Sequence, residues 1–135
     1  MLGGANANLA LEPRLKERLA VEPPRAVKVD VDPAAEQLVL SGEVASGTEP
    51  TEVFQAVAAL LSDQEPCLVL LRLEGLAEGL RGWAMVAWTP EASPVKLRML
   101  CASSRRTLRE EFPELGFREY NASERQEVRG GFRRP

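Results

Sequence analysis

A chain of 135 residues with 44% hydrophobic and 5% aromatic content is long enough for one compact domain and too short for two. Charged residues make up 27% of it, and the formal net charge of -3 excludes a protein that binds nucleic acid through an overall basic surface. We therefore predict a single domain over residues 1–135. Any acidic partner must be met by a local basic patch.

The residue types that most often perform catalysis or bind metals are scarce. The chain has no histidine, and Cys67 and Cys101 lie in apolar or helical segments without metal-ligand spacing. It also has no glycine-rich phosphate loop and no activated cysteine motif, so the sequence predicts a non-enzymatic protein without metal or cofactor. Two thiols in a chain with a sizeable core favour burial in a reducing compartment, the cytoplasm.

Membrane, secretory and RNA signals are weak or absent. No segment approaches the roughly 20 apolar residues that a membrane span needs, and the amino terminus has no basic region ahead of an apolar one. We therefore expect no membrane span, and the glycosylation sequon at 121–123 is interpreted as a chance match. A single Arg-Gly-Gly unit at 129–131 on an acidic chain predicts no nucleic-acid partner. We expect a monomer.

The first half of the chain predicts a helix, a hairpin and a second helix. Leucines spaced four residues apart indicate a short amphipathic helix over 11–20, with a proline near its start. Valines alternating with polar residues over 27–31, and a second apolar run over 37–43, predict a β-hairpin. A helix that begins near Thr51 and ends before Pro66 follows. Its apolar positions are Val53, Phe54, Val57, Leu60 and Leu61.

Two later segments, 67–71 and 83–88, are apolar at every position, as in short strands that are buried on both faces. Trp83 and Trp88 are accordingly interpreted as sheet core and not as platforms that stack on a ligand. Strands covered on both faces require helices on both sides of the sheet. The predicted fold is therefore α/β, with a central mixed sheet sandwiched between helices.

A long helix is predicted from about Pro94 to Phe112, with Ser93 as its cap and proline at its first position. It carries five cations with no acid before Glu110, and three of the arginines fall on one helical stripe. Taken alone, such a run of basic residues usually indicates only a solvent-exposed face of the helix. The five cations are Lys96, Arg98, Arg105, Arg106 and Arg109.

The two ends of the chain give weaker signals. Residues 117–120 indicate a short edge strand and 123–128 the start of a last helix. We expect 1–8 to be a flexible amino terminus and 129–135 to be a frayed end or the start of a linker.

The segment around the start of the long helix resembles a signature of the actin-depolymerising-factor homology (ADF-H) family. The signature is an aromatic strand ending in Trp-Thr-Pro or Trp-Ser-Pro, then Ser-Pro-Val, two basic residues around one spacer, methionine and Ala-Ser-Ser. Further matches at 36–39 and 64–73 are more similar to the first domain of twinfilins than to cofilins, and the similarity covers nearly the whole chain. The signature positions are Trp88, Thr89, Pro90, Ser93, Pro94, Val95, Lys96, Leu97, Arg98, Met99, Ala102, Ser103 and Ser104.

The resemblance implies the ADF-H (cofilin/gelsolin-like) fold and an actin-binding surface. Its implied actin contacts are Lys96, Arg98, Met99, Arg105, Gly4, Ala5, Asn6, Ala7 and Asn8. The implied function is binding of actin monomers, with ADP-actin preferred, so that monomers are sequestered or their nucleotide exchange is slowed. Acidic phosphoinositides are a further expected ligand of the five helix cations. One geometric difficulty is that an ideal helix places Lys96 and Arg98 about 200° apart.

Departures from the family leave alternatives open. The loop before Trp83 carries only Arg81, whereas filament-severing cofilins have a basic pair there. No serine occurs in the first ten residues, so the amino-terminal phosphorylation of many cofilins has no acceptor here. Two alternatives remain beside monomer binding. One is a cofilin-like role in binding and severing filaments, and the other is a glia-maturation-factor-like role in binding the filament-branching complex.

Overall fold

Six strands form one mixed sheet in the computed structural model, which describes residues 9–131. The strands are β1 (Ala10–Leu11), β2 (Ala26–Asp32), β3 (Gln37–Val44), β4 (Cys67–Arg72), β5 (Trp83–Trp88) and β6 (Arg118–Ala122). Their order across the sheet is β1-β3-β2-β4-β5-β6. The three inner pairs are antiparallel, and the two outermost pairs are parallel.

Four α-helices cover the sheet, two on each face. They are α1 (Pro13–Ala20), α2 (Val53–Ala59), α3 (Val95–Glu111) and α4 (Arg125–Arg129), with short 3-10 turns at Pro50–Glu52 and Pro113–Leu115. One core cluster joins the sheet to α2 and α4, and the other joins it to α1 and α3. The predicted α/β sandwich is confirmed.

The two apolar segments are the central strands β4 and β5, as predicted. Every residue of β5 is buried, and β4 is buried up to its last residue, Arg72. Their side chains alternate between the two cores: Val69 packs on the α2 and α4 side, and Leu68 packs on the α1 and α3 side. Trp83 and Trp88 are both buried in these cores, which confirms their interpretation as core residues.

The predicted hairpin is formed by β2 and β3, which pair antiparallel. Asp32 closes its turn, because one carboxylate oxygen accepts hydrogen bonds from the N–H groups of Ala34 and Ala35, each at 3.1 Å. A bulge interrupts the register between Lys28 and Val29. Opposite it, a Cβ on Gly42 would lie only 3.1 Å from the Leu60 side chain, so the glycine lets α2 pack closely on the sheet.

Two sequence predictions about helix starts are wrong. Leu11 belongs to β1 and not to α1, because the N–H groups of Ala10 and Glu12 donate to carbonyls of the hairpin and hold this segment at the sheet edge. Ser93 does not cap α3. Its hydroxyl is buried and donates to the carbonyl of Pro90 at 2.6 Å, so Pro94 takes the cap position without a side-chain hydrogen bond.

The last strand and helix lie close to where the sequence predicts them. β6 is an edge strand parallel to β5, and α4 begins with a capping box made by Glu124 and Glu127. The expectations for residues 1–8 and for 132–135 lie outside the described residues.

Candidate functional site

The exposed start of α3, Val95–Leu100, is called the α3 tip below. None of its side chains is buried, and the first buried residue of the helix is Cys101, followed by Ser104 and Leu108. At 1.5 Å per residue, about 9 Å of helix therefore precedes its first buried side chain. A partner can reach this part of the helix from more than one side.

The exposure of the α3 tip explains how Lys96 and Arg98 can contact one partner although an ideal helix places them about 200° apart. Lys96 and Arg98 point in different directions around the helix, yet both are exposed because the α3 tip has no buried side chain. The structure thus brings Lys96, Arg98 and Met99 together on one projecting turn. A concave partner that encloses the tip would contact all three.

The α3 tip is also apolar in part. Val95 is 64% exposed and Met99 is 53% exposed, and their spacing of four residues places them on one face of the helix. Met99 is therefore not a core residue. Exposed aliphatic groups beside cations are suited to a protein partner, since they provide apolar area that a partner can cover.

Two of the five predicted cations are held by a carboxylate within the fold. Arg109 Nη1 lies 2.7 Å from Glu119 Oε2, and Arg105 Nη2 lies 2.9 Å from the other carboxylate oxygen of Glu119. Arg105 also donates to Asn121 Oδ1 at 3.1 Å. Burial alone would raise the pKa of Glu119, but the hydrogen bonds from both arginines hold it below its ordinary value.

The other three cations differ in whether a carboxylate pairs with them. Arg106 forms an exposed ion pair with Glu110 one turn away, at 2.9 Å. Lys96 and Arg98 form no ion pair with any residue in the range 9–131. The basic stripe that the sequence shows as continuous is therefore divided, and among the described residues only its two cations at the α3 tip have no carboxylate partner.

The charges of the α3 tip oppose the helix dipole. The first turn contains no acidic residue, and no side chain caps its N–H groups. Cations at a helix amino terminus are unfavourable by about 0.3–1 kcal/mol each, because the helix end carries a partial positive charge. Lys96 and Arg98 are therefore not explained by helix stability, and binding of an acidic partner is the alternative.

The predicted contacts at Gly4–Asn8 lie outside the described residues. The first described residue, Leu9, is buried, and with Ala10 it lines a shallow cavity of about 400 Å³ beside Thr107 and Glu110. The chain thus enters the described part of the fold beside the carboxyl-terminal half of α3, two to three turns from the α3 tip.

The loop before β5 is the region in which the sequence, by its resemblance to the family of filament-severing cofilins, is expected to lack their basic pair. Arg81 is exposed, but the same loop carries the exposed acids Glu74 and Glu78. Arg129 of α4 lines one groove with Glu78, a neighbour that sequence reasoning missed because the two residues are distant in the chain. The loop itself carries two acidic side chains and one arginine, so its own charges are not net positive.

Arg25 connects the start of this loop to the sheet through hydrogen bonds. It is only 7% exposed, and its Nη1 donates to the carbonyls of Arg72 at 2.9 Å and Glu74 at 2.7 Å. Burial, and secondarily the nearby Arg72, lower the pKa of Arg25. No sequence pattern indicated this role.

Chemical and membrane features add little to the site. Cys67 and Cys101 are unpaired and buried, and burial raises the pKa of both thiols to about 12. Within residues 9–131, no cluster of three or more histidine, cysteine or acidic side chains is arranged to hold a metal ion. The helices of that same range include none that is both long and apolar enough to cross a membrane.

A mixed six-stranded sheet between two helix layers, with an exposed basic turn at the start of its longest helix, has the architecture of an ADF-H domain. Residues 11–130 match the family described as cofilin/tropomyosin-type actin-binding protein, and the chain belongs to that family. The resemblance seen in the sequence is confirmed at this level.

Solved structures show the same fold at low sequence identity. Eh twinfilin superposes with a TM-score of 0.76 at 16% identity, covering 92% of this chain and 95% of that one. Plasmodium berghei actin depolymerization factor 2 gives 0.75 at 15% identity, covering 98% and 95%. Streptomyces griseoflavus cofilin gives 0.68 at 17% identity, covering 90% of each chain. The first two scores are nearly equal, so overall shape does not separate the branches of the family.

Proposed function

We propose that this chain binds monomeric actin through the α3 tip, prefers the ADP form, and thereby sequesters monomers or slows their nucleotide exchange in the cytoplasm. The observation that carries the proposal is the pair Lys96 and Arg98, which are exposed and form no ion pair within residues 9–131, beside Val95 and Met99 in a chain of an actin-binding family. Binding is the whole of the proposed activity, and no catalytic step is involved.

The chemistry of the α3 tip fits an acidic protein surface. A charge-assisted hydrogen bond contributes about 1.5–3 kcal/mol, and burial of a side chain such as that of Met99 contributes a similar amount. Two such bonds and two apolar contacts together amount to about 6–12 kcal/mol, which is comparable to the roughly 8 kcal/mol of a micromolar complex before the entropy of association is subtracted. The α3 tip therefore supplies a large share of the interactions that the proposed complex needs.

A cofilin-like role on filaments is the second candidate, and the charge of the loop before β5 argues against it. A basic loop attracts an acidic filament surface, whereas Arg81 here shares its loop with the acids Glu74 and Glu78. A glia-maturation-factor-like partner is a third candidate, and the exposed cations and Met99 of the α3 tip favour actin over it.

Binding to labelled monomeric actin in its ADP and ATP forms tests the proposal. We expect saturable binding that is tighter for ADP-actin, and we expect slower nucleotide exchange from actin in the complex. In cosedimentation with filaments, we expect neither stoichiometric decoration nor severing. Decorated or severed filaments would establish the cofilin-like role. Capture of the branching complex in place of actin in a parallel pull-down would establish the third candidate.

We further propose that the same two cations bind acidic phosphoinositides in competition with actin. Basic residues near an anionic membrane surface contribute about 1 kcal/mol each. Vesicles of phosphatidylcholine doped with phosphatidylinositol bisphosphate should therefore retain the wild-type chain, and retention should fall roughly tenfold or more in Lys96→Ala plus Arg98→Ala. Equal retention of the two proteins would refute this part of the proposal.

A further inference from the structure

We infer that Glu119 is a specificity-determining residue: it serves as an intramolecular counter-charge that prevents Arg105 and Arg109 from binding clustered phosphates. The inference concerns the phosphoinositide part of the proposed function, and it explains why only part of the basic helix is open to such a ligand. The side chain of Glu119 joins β6 to α3. No feature of the ADF-H signature includes this residue.

The geometry of Glu119 engages both of its oxygens. Arg105 donates from Nε to Oε1 at 3.0 Å, and Arg109 donates from Nη1 to Oε2 at 2.7 Å. The three side chains are 26%, 45% and 25% exposed for Arg105, Arg109 and Glu119, so water screens these pairs only in part. Asn121, two residues along β6, takes a further donor of Arg105. Two guanidinium groups are thereby fixed against the strand.

A phosphate ligand would have to compete with this arrangement. It would need to displace the carboxylate, leaving a partly buried charge without its partners, or to bind guanidinium groups whose positive charge is already offset. The second acid of the helix does not act in this way. Glu110 pairs with Arg106 where the side chains are 64% and 77% exposed, and such pairs contribute little.

Removal of the charge at position 119 should therefore release two cations. In Glu119→Gln, the amide oxygen can still accept a hydrogen bond, but the opposing charge is lost. We expect this variant to bind the phosphoinositide vesicles about fivefold to tenfold more tightly than wild type, since each freed cation near an anionic surface contributes up to about a factor of five. Glu110→Gln is the matched control, because it changes the net charge by the same amount and releases only a cation of α3 that was already accessible. We expect less than a twofold change for it.

Further variants show whether the gain comes from the two arginines. Adding Arg105→Gln and Arg109→Gln to Glu119→Gln should return vesicle binding to the wild-type level or below. Thermal unfolding of each variant verifies that it is folded at the temperature of the assay. If Glu119→Gln is not folded there, Glu119→Asp takes its place, because the shorter carboxylate cannot reach both arginines. A smaller gain, of about twofold, is then expected from release of one cation.

The source of the phosphates is resolved by competition with soluble inositol trisphosphate. If the soluble headgroup displaces Glu119→Gln from vesicles, the clustered phosphates themselves are recognised, and if it does not, the membrane surface is the ligand. Either result supports the role of Glu119. An equal gain in Glu119→Gln and Glu110→Gln, or no gain in either, would overturn it. Vesicle binding is measured without actin, so failure here is distinct from failure of the proposed actin binding.

Discussion

Replacement of Lys96 and Arg98 by alanine together is expected to weaken binding of monomeric actin by at least about a hundredfold. Both side chains are exposed and lack an ion pair within the described residues, so they are available for charge-assisted hydrogen bonds of about 1.5–3 kcal/mol each. Loss of two such bonds corresponds to a factor of about 100 or more in the dissociation constant. Titration of labelled actin with each protein measures the change directly.

The control for this variant is Arg14→Ala plus Lys16→Ala on α1. It removes the same number of charges from side chains that are 68% and 57% exposed, and we expect actin binding within about twofold of wild type. Chemical denaturation adds a second readout. The variant at Lys96 and Arg98 should be as stable as wild type or slightly more stable, because two charges that oppose the helix dipole are gone. An unchanged affinity for actin in a folded double variant would rule out the α3 tip as the site.

Replacement of Arg125 by alanine should have the largest effect on stability among the exposed or half-exposed charges of the described residues. Its guanidinium donates to the carbonyls of Ala58 and Leu61 at the end of α2 and to the carboxylate of Asp63. The same group lies 5.9 Å from the centre of the Trp88 ring. We expect a loss of about 2–4 kcal/mol in the free energy of unfolding, since two carbonyl groups lose their partner.

That loss should lower the melting temperature by roughly 8–15 °C for a chain of this length. Arg125→Lys should recover only a small part of it, because one ammonium group cannot reach three acceptors that lie in different directions. Arg129→Ala on the same helix is the control, and a change within about 0.5 kcal/mol is expected for this exposed residue. A similar melting temperature for all three variants would show that Arg125 does not join α4 to α2.

The fold was predictable to the extent that burial is periodic in the sequence. Segments 67–71 and 83–88 are apolar throughout because both of their faces meet a helix layer. Alternating valines mark β2 because Val27 and Val29 are buried in one core, whereas Lys28 and Asp30 are only partly buried. Errors occurred where a hydrogen bond to a group outside the helix decided the outcome. Leu11 follows the helical pattern, but its neighbours bond to the hairpin. The Ser93 hydroxyl donates to the carbonyl of Pro90 and does not accept from the N–H groups at the helix start.

The candidate site was predictable only in part for the same reason. The signature identified Lys96, Arg98 and Met99, and the structure shows all three exposed on one turn. It could not reveal that Arg105 and Arg109 are paired with a residue 14 and 10 positions away. A polar alternation in β6, Glu119 and Asn121 on one face, was a signal that could have been noticed. The contributions of Arg25 and Arg125 left no local pattern.

Because the α3 tip contains no buried side chain, mutations there are largely uncoupled from the selection that maintains the fold. Substitutions at positions 95–99 should be tolerated structurally far more often than those at Cys101, Ser104 or Leu108. Related proteins can therefore come to bind different partners through substitutions at a few of these positions, while the fold is retained. Such modularity is consistent with structures that share this architecture at 15–17% identity.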